Sequence, residues 1–397
     1  MASTLPSTLT GLTSERVRRD VEVVARAGLD LETFLEESIA SVQRAVPFVG
    51  ACLATHDPGT LMVTSARKYG ELRDRNAHDH EWGLIEYGSC EQTAYVEMVR
   101  AGLVAASVHA VTGGDVEQSE RMRTLVLPNF GYADEARLVI RDGSQVWGGL
   151  AMFRGSDERP FDEREVEFLA SLSQSFAHGV RSGLLTRLAE APGLASPLGP
   201  AVVIVDSRDR VVQMSVGAEE RLADLGRGSL AYGDHLSPVS ALVGAARRYA
   251  RGETDVVPRS RVRASSGMWL MMHASPLSAS GAAVGSAGER QGDVVVTIEE
   301  ARPPEIVALV VAAFGLTQRE RDVTQLVLQG VDTKEIAATL HLSAYTVQDH
   351  LKSVFEKADV RSRRELISRV YFEQYVPRIG SELGPSGWFA GTADRPD

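Results

Sequence analysis

The chain has 397 residues, 44% of them hydrophobic and 24% charged, which is long enough for two or three domains with separate cores. No apolar run approaches the roughly 20 residues of a membrane span, the N-terminus lacks the apolar segment of a signal peptide, and two cysteines are too few for a disulfide framework, so we expect a cytoplasmic protein that enters no membrane. The net charge of −11 excludes a chain that is basic throughout, although Lys and Arg gather between Lys352 and Arg369.

The N-terminal part combines helices with two predicted hairpins. Apolar residues recur at helical spacing from Ser14 to about Ala45, and a break at Gly28 divides them into two helices. Short β-type runs between Phe48 and Ser65 predict one hairpin, and the Asp142-Gly143 turn predicts another. An amphipathic pattern from Val166 to Leu188 then predicts a long helix.

The middle of the chain follows a stretch rich in Pro, Gly and Ala, which predicts a linker. Alternating and apolar runs predict five strands and an intervening helix. The strands are predicted at 201–205, 211–215, 261–264, 269–274 and 294–298, and the helix at 239–251. The segment from Ser278 to Gly292 is predicted to be a mobile loop.

Four short helices are predicted between Leu316 and Val370, and each start carries a capping signal. The caps are Thr317 with Glu320, either Asp332 or Thr333, Ser343, and Ser362 with Glu365, while Gly330 ends the first helix.

The third of these helices has an apolar face and a polar face. Its inward stripe is predicted to be Val347, Leu351, Val354, Phe355 and Ala358. Its outward row is predicted to be Tyr345, Gln348, Asp349, Lys352 and Glu356. The short connector from His341 to Ala344 gives the helix-turn-helix geometry that places such a row in a major groove.

The string L-T-x-R-E, then G-x-x-x-K-E-I-A-x-x-L-x-L-S-x-x-T-V-x-x-H, then K, V and S-R-x-E-L, runs from Leu316 to Leu366. It closely resembles the LuxR-type helix-turn-helix. The resemblance implies that the third helix enters the major groove and that the fourth, Ser362 to Tyr371, serves dimer contact. We therefore expect a homodimer on double-stranded DNA, with RNA polymerase as a further candidate partner.

The residues expected to contact DNA are Lys334, Ser343, Tyr345, Thr346, Gln348, Asp349, His350, Lys352, Lys357 and Arg363, and those expected at the dimer contact are Arg364, Leu366, Ile367 and Val370. One departure from the family pattern is Gln348, where lysine is frequent, followed by Asp349. Gln can hydrogen-bond adenine, Asp can accept a hydrogen bond from cytosine, and Lys352 can contact guanine or phosphate. The alternative for Gln348 and Asp349 is that they form only a solvated face. His350 is expected to be packed or directed at phosphate rather than catalytic.

Two further resemblances cover the rest of the chain. R-L-V-I-R-D-G-x-x-x-W-G-G-L at Arg137 to Leu150 and P-F-D-E-R-E-V-E-F-L at Pro160 to Leu169 resemble a GAF domain. A-V-V-I-V-D, followed later by G-x-W-L-x-x-x-A-S-P-L at Gly267 to Leu277, is similar to a PAS domain. The fold class expected is multidomain α+β: GAF-like and PAS-like antiparallel-sheet sensory domains followed by an all-α four-helix LuxR-type helix-turn-helix domain.

The predicted segments are a flexible tail (1–13), the GAF-like domain with flanking helices (14–188), a linker (189–200), the PAS-like domain (201–300), a connecting helix (301–313), the helix-turn-helix domain (314–378) and a C-terminal tail (379–397).

The sequence also limits which regulatory input and which other functions the chain can have. No Gly-Lys pair for a Walker A motif occurs, and the helical start argues against a phosphoreceiver. We expect no catalytic residue, metal or cofactor, and an unidentified small-molecule ligand or protein partner as the input. Two alternatives stay open: a redox enzyme or thiol sensor that uses Cys52 and Cys90, and a constitutive DNA binder with structural sensory domains.

Several residues outside the helix-turn-helix are expected to have structural rather than functional roles. Cys52 is expected to be a buried small residue. The runs at His56-Asp57 and His78-Asp79-His80 are expected in surface loops, since no Cys or His set has metal-site spacing. Three tryptophans are expected in cores rather than in a pocket, and they are Trp82, Trp147 and Trp269.

Overall fold

The computed structural model describes residues 10–188, 200–225, 237–264, 268–277 and 292–371. Within them the chain forms two compact units, one of residues 10–183 and 200–300 and the other of residues 184–188 and 301–371. The α-helices are α1 (Gly11–Arg26), α2 (Leu31–Ala45), α3 (Asp79–Gly88), α4 (Tyr95–Arg100), α5 (Val108–Val111), α6 (Leu127–Phe130), α7 (Glu163–Leu188), α8 (Ala218–Leu225), α9 (Ser237–Ala250), α10 (Pro303–Ala313), α11 (Gln318–Leu328), α12 (Thr333–Leu340), α13 (Ala344–Lys357) and α14 (Arg363–Tyr371).

Ten strands form two antiparallel sheets. The strands are β1 (Gly50–His56), β2 (Val63–Gly70), β3 (Ala105–Ser107), β4 (Tyr132–Asp142), β5 (Gln145–Gly155), β6 (Ala201–Val205), β7 (Val211–Met214), β8 (Arg259–Arg263), β9 (Trp269–Pro276) and β10 (Val294–Glu300). The first sheet has the order β2-β1-β5-β4-β3 and the second has β7-β6-β10-β9-β8. Counted within each domain, the two orders are the same.

This arrangement confirms the predicted fold class, with GAF-like and PAS-like sheets followed by an all-helical C-terminal domain. Both predicted hairpins are present as β1–β2 and β4–β5. The turn of the second hairpin uses Gly143 at φ 58°, a backbone conformation that glycine adopts at little cost.

Three predicted segments fall wholly or almost wholly outside the described residues: the linker at 189–200, the loop at 278–292 and the tail at 379–397. The predicted tail at 1–13 was too long by three residues, because Thr10 caps α1 by accepting from the backbone N–H of Thr13 at 3.2 Å. The domain boundaries stay predictions.

The segment between the two hairpins holds more structure than the sequence indicated. It contains α3 to α6, the strand β3, a 3₁₀ turn at Val116–Gln118 and a π-helical turn at Met122–Val126. The π turn runs directly into α6, and together they close one side of the GAF-like sheet. A core of Leu72, Val108, Met122, Val126, Tyr132, Ala151 and Phe153 lies there.

The GAF-like and PAS-like domains share one core. Met62, Val63 and Tyr87 of the first domain belong to the same buried cluster as the apolar face of the second sheet. The helix α3 also packs along α9, where a Cβ on Gly244 would lie 2.9 Å from the carbonyl oxygen of Leu84 and 3.0 Å from the amide nitrogen of Gly88. Only a glycine at 244 permits this close approach of the two helices.

Polar contacts across the same boundary correct two sequence interpretations. The run at His56-Asp57 is buried rather than in a surface loop, and Asp57 accepts from the Arg261 backbone N–H at 3.0 Å and from Nε at 2.8 Å. His80, expected in a loop, is half-buried in α3, where Nε2 donates to the carbonyl of Asp209 at 2.7 Å and Nδ1 lies 2.6 Å from Ser240 Oγ. These partners are distant in sequence, so local spacing gave no sign of them.

The second unit contains α10 to α14. Its buried apolar side chains come from all five helices and include Ile306, Leu309, Val310, Val323, Val327, Ile336, Val347, Leu351, Val354, Leu366 and Val370. The connecting helix α10 packs against α14, so the predicted four-helix domain carries a fifth helix. In the part of the chain that the structure describes, no helix has the length and apolar character needed to cross a bilayer.

Candidate nucleic-acid interface

The helix α13 presents two different faces, as predicted. Val347, Leu351, Val354 and Ala358 are buried, whereas Phe355, predicted on the same stripe, is half-buried. The opposite face is exposed, and its residues are Tyr345, Gln348, Asp349, Lys352 and Glu356. Tyr345 has 76% of its surface exposed, which is unusual for an aromatic side chain and leaves its ring available to a partner.

A short connector fixes the angle between α12 and α13. Asp332, rather than Thr333, caps α12, and its carboxylate accepts from the N–H groups of Lys334 and Glu335 at 2.8 and 2.9 Å. The helix ends at His341 in the left-handed region, with φ 53°. Ser343 then caps α13 by accepting from the N–H of Thr346 at 3.0 Å.

The helix α11 braces α13 through one carboxylate. Thr317 and Glu320 form the predicted capping box, and Glu320 also accepts from Ser353 Oγ and Lys357 Nζ, both at 2.6 Å. Burial opposes ionisation of Glu320, but the hydrogen bonds from Lys357, Ser353 and Thr317 outweigh it and hold its pKa at about 2. The helix α13 is therefore tied to the rest of the domain by a charged group as well as by its apolar stripe.

The residues predicted to contact DNA fall into three groups. Six are exposed and available, and they are Lys334, Ser343, Tyr345, Gln348, Asp349 and Lys352. Thr346 and His350 are half-buried. Lys357 and Arg363 already have partners inside the domain, since Lys357 binds Glu320 and an Arg363 guanidinium nitrogen donates to the carbonyl of Val331.

The predicted dimer residues of α14 do not share one surface. Leu366 and Val370 are 0% and 2% exposed because they pack into the core of the domain, so their side chains are not available to a partner chain. Arg364 is exposed and Ile367 is half-buried. Helical spacing marked all the apolar positions of α14 but did not show which of them face α10 and α11.

A second candidate site is a cavity of about 70 Å³ in the GAF-like domain. Its wall comes from the sheet and from α3, and the lining residues are Cys52, Ala54, His56, Val63, Ala66, Lys68, Leu72, Asp79, Trp82, Gly83, Glu86, Tyr87, Tyr95, Phe130, Arg137 and Ala151. Trp82, expected in a core, is only half-buried and lines this cavity, whereas Trp147 and Trp269 are buried as expected. Cys52 also lines it and is half-buried.

The polar residues of the cavity are held by specific contacts. Arg137 lies 3.8 Å over the ring of Tyr95, and one of its nitrogens is 2.8 Å from Glu86 Oε2. Lys68 Nζ forms an ion pair with Asp79 and donates to Asn76 Oδ1 at 2.8 Å. Asp79 was expected in a surface loop but is buried. Gly149 permits this arrangement, because a Cβ there would meet the Tyr95 ring at 2.2 Å.

His56 is a titratable group of the cavity whose pKa is shifted by its surroundings. Burial, and secondarily the positive charge of Arg137, lower its pKa to about 3, so the ring is neutral at pH 7. Among the described residues, none hydrogen-bonds its Nδ1 atom. No group of three or more His, Cys, Asp or Glu side chains within the described ranges could hold a metal ion.

Comparison with known proteins assigns the C-terminal segment. Residues 315–370 match the sequence model described as bacterial regulatory proteins, luxR family. The spore germination protein GerE of Bacillus subtilis (strain 168) is 40% identical over 52 residues, which are 13% of this chain and 70% of that protein. In other curated relatives the matching segment is a smaller part, and the chain spans 25%, 27% and 29% of three of them.

Solved structures resemble the GAF-like part only distantly. A GAF domain from a phosphoenolpyruvate-protein phosphotransferase of Coxiella burnetii is 13% identical and covers 43% of this chain and 93% of its own, with a TM-score of 0.28. A free methionine-R-sulfoxide reductase from Neisseria meningitidis, solved with its substrate, is 14% identical and covers 46% and 98%, with a TM-score of 0.31. At these TM-scores neither likeness carries an argument about function.

Proposed function

Because the chain belongs to the luxR family of bacterial regulatory proteins, we propose that it is a sequence-specific DNA-binding transcriptional regulator of the cytoplasm. The observation that carries the proposal is the exposed row on α13, which stands on a helix fixed by a buried stripe and by Glu320. A rigid helix with polar side chains on its outer face is the geometry that reads a major groove.

Within this row we assign base contacts to three residues. Lys352 suits a guanine edge or a phosphate, Gln348 an adenine and Asp349 a cytosine. Lys334, exposed near the start of α12, suits a phosphate. The acidic Asp349 and Glu356 repel phosphates, so the cations of this unit must supply the electrostatic part of the affinity.

We assign the dimer contact to the exposed side of α14, through Arg364 and Ile367. A two-fold dimer reads two half-sites about one helical turn apart, which predicts a palindromic operator. RNA polymerase is the partner expected at the promoter.

We also propose that a small molecule or a protein partner modulates DNA binding through the GAF-like and PAS-like part. The cavity under α3 supports it, because it combines aromatic walls with a few placed polar groups. A constitutive binder with structural sensory domains is the competing interpretation, and it requires that no ligand changes the affinity for DNA.

A thiol sensor or redox enzyme is the second candidate function, because Cys52 lines the cavity. Cys90 is exposed elsewhere, with its Sγ 3.9 Å from Glu253 Oε2, and it is not among the lining residues. The Cys52→Ser and Cys90→Ser double variant tests this function. If oxidant changes DNA affinity in the natural chain but not in the double variant, the redox function stands.

Selection of bound DNA from a random pool by the full-length chain tests the main proposal. We expect enrichment of a palindromic sequence, and loss of that enrichment for the Gln348→Ala, Asp349→Ala and Lys352→Ala triple variant. Glu299→Ala, a change at a half-buried position of β10 outside the helical domain, is the control and should enrich the same sequence. Failure of the natural chain to enrich any sequence contradicts the proposal.

A further inference from the structure

The helix α3 connects the cavity of the GAF-like domain with the PAS-like domain. Trp82, Gly83 and Glu86 line the cavity from this helix. His80 contacts Ser240 and Asp209, and Gly88 approaches Gly244 on α9. One short helix therefore lines the cavity on one side and contacts the next domain on the other.

The charged groups of the cavity balance one another. Lys68 is paired with Asp79, and Arg137 is paired with Glu86. His56 carries no charge at neutral pH. A charged ligand would have to break one of these buried pairs or stay unpaired beside them, and both are unfavourable among buried side chains. The cavity therefore favours an uncharged molecule.

His56 supplies the specific polar contact. It is 4% exposed, it lines the cavity, and within the described part of the chain its Nδ1 atom has no hydrogen-bond partner. A buried polar atom without a partner is unfavourable, so a hydroxyl or amide that reached it would gain free energy on binding. The edge-on contact of His56 with Tyr95, with ring centroids 5.3 Å apart, fixes the imidazole in place.

The cavity is too small for a ring unless a wall moves. An apolar cavity of about 150 Å³ accommodates benzene, whereas this one measures about 70 Å³. The floor is rigid, because β1 is hydrogen-bonded to β2 on one side and to β5 on the other. Opposite the sheet, α3 contributes most of the lining residues, beside Tyr95 of α4 and Phe130 of α6, and α3 is the wall that a ring would displace.

The far side of α3 leaves little room for such a shift. The Leu84 carbonyl and the Gly88 amide are already within 3.0 Å of the position of a Cβ on Gly244. Displacement of α3 must therefore change its contact with α9 and with the polar groups of Asp209 and Ser240.

We propose that the cavity binds a small uncharged ring compound bearing a hydroxyl or amide group that hydrogen-bonds His56, and that α3 transmits its binding to α9. The proposal rests on the proposed function only in treating this binding as the regulatory input. It names the ligand class and the moving part of the same site.

Three fluorinated probes of similar size test the ligand class on the unaltered full-length chain. We expect 4-fluorophenol to bind, observed by fluorine NMR, with roughly tenfold lower Kd than fluorobenzene, which lacks the hydroxyl, because one hydrogen bond is worth about that factor. Charged 4-fluorobenzoate should bind at least as weakly as fluorobenzene. His56→Phe should reduce 4-fluorophenol to the affinity of fluorobenzene, and His273→Phe, on β9 and outside the cavity lining, should not.

Hydrogen–deuterium exchange with and without 4-fluorophenol tests the transmission. We expect exchange to change in α3 and α9, with α1 as the internal reference. Equal binding of all three probes, or binding of none, overturns the ligand class, and binding without a change in α9 overturns the transmission. DNA affinity measured on the same samples separates the outcomes, because intact sequence-specific binding with no probe binding overturns this inference and leaves the proposed function standing.

Discussion

At the scale of single residues, adjacent positions of α13 have opposite roles. Lys352 is exposed and Leu351 is 5% exposed, so truncation of the two should have different effects. Lys352→Ala should leave the fold intact. If Lys352 contacts a base, the variant should weaken specific binding by about 1 to 3 kcal/mol. If Lys352 contacts a phosphate, the salt slope, which is the slope of the logarithm of the binding constant against the logarithm of the salt concentration, should fall by about one. Binding measured over a salt series distinguishes these outcomes.

Leu351→Ala is the matched comparison within the same helix. The cavity that it leaves should destabilise the domain by about 2 to 5 kcal/mol and abolish binding through unfolding. Circular dichroism and hydrogen exchange in α13 measure that loss. If Lys352→Ala changes neither affinity, sequence preference nor salt slope, α13 is not the reading helix in the orientation assigned to it.

Glu320 gives a prediction that depends on pH. Glu320→Gln keeps a side chain that can complete the capping box with Thr317 but removes the charge that binds Lys357. The variant should be less stable by about 1 to 3 kcal/mol at pH 7. The folded pKa of about 2 lies below the ordinary 4.5, so the contribution is complete above about pH 4.5 and is lost as the pH falls toward 2.

Scanning calorimetry of the full chain over that pH range measures the Glu320 effect. The difference between Glu320→Gln and the natural chain should narrow as the pH falls, whereas a difference that stays constant would contradict the assigned ion pair. Ser353→Ala, which removes a neutral donor to the same carboxylate, is the control and should cost less.

Local signals predicted the residues of the helix-turn-helix well and those of the domain boundary poorly. The caps at Thr317 and Ser343 depend on neighbours three positions away, so a short window of sequence contains all the information. The partner of Asp57 is Arg261, 204 positions away, and that of Lys357 is Glu320, 37 positions away. No spacing rule links such pairs, which is why Asp57 was expected in a loop and the pairing of Lys357 with Glu320 was not predicted.

At the scale of elements, the contact between α3 and α9 yields a prediction with an internal control. Gly244→Ala places a Cβ within 3.0 Å of backbone atoms of α3, which cannot move as a side chain can, whereas the nearest atom to a Cβ on Gly88 lies at 3.6 Å. We expect Gly244→Ala to destabilise the chain by about 1 to 3 kcal/mol. Gly88→Ala should be neutral or slightly stabilising because alanine favours helix.

Thermal unfolding of both glycine variants checks that expectation. Equal melting temperatures for Gly244→Ala and the natural chain would mean that α3 and α9 are farther apart in solution, and the transmission argued above would lose its basis.

Periodicity identified the long elements and missed the short ones. The second hairpin and α7 have clear patterns over ten residues or more, and they were predicted close to their observed positions, whereas β2 of the first hairpin extends five residues beyond the predicted Ser65. The α5 and α6 helices have four residues each, too few for a helical period to appear. Phe130 of α6 lines the cavity, and the other lining residues come from segments far apart in the chain, so the sequence did not reveal the cavity.

At the scale of the whole molecule, the chain repeats one strand order in two sheets and then changes to an all-helical domain. The first two domains share a core, which the sequence, read as separate segments joined by a linker, did not predict.

The helical domain, in contrast, is expected to fold without the rest of the chain. Its caps, its apolar core and the Glu320–Lys357 pair all lie within residues 301–371, so a fragment of residues 301–378 contains the contacts that stabilise it. We expect the fragment to give a cooperative thermal transition and to bind DNA, but more weakly than the full-length chain, because a second dimer surface on the sensory part, such as that offered by α7, would hold two reading helices together. Anisotropy titration of both proteins on an operator with two half-sites measures the difference, and a single half-site is the control on which the two should bind alike. Equal affinity on both operators would mean that the helical domain dimerises without help from the sensory domains.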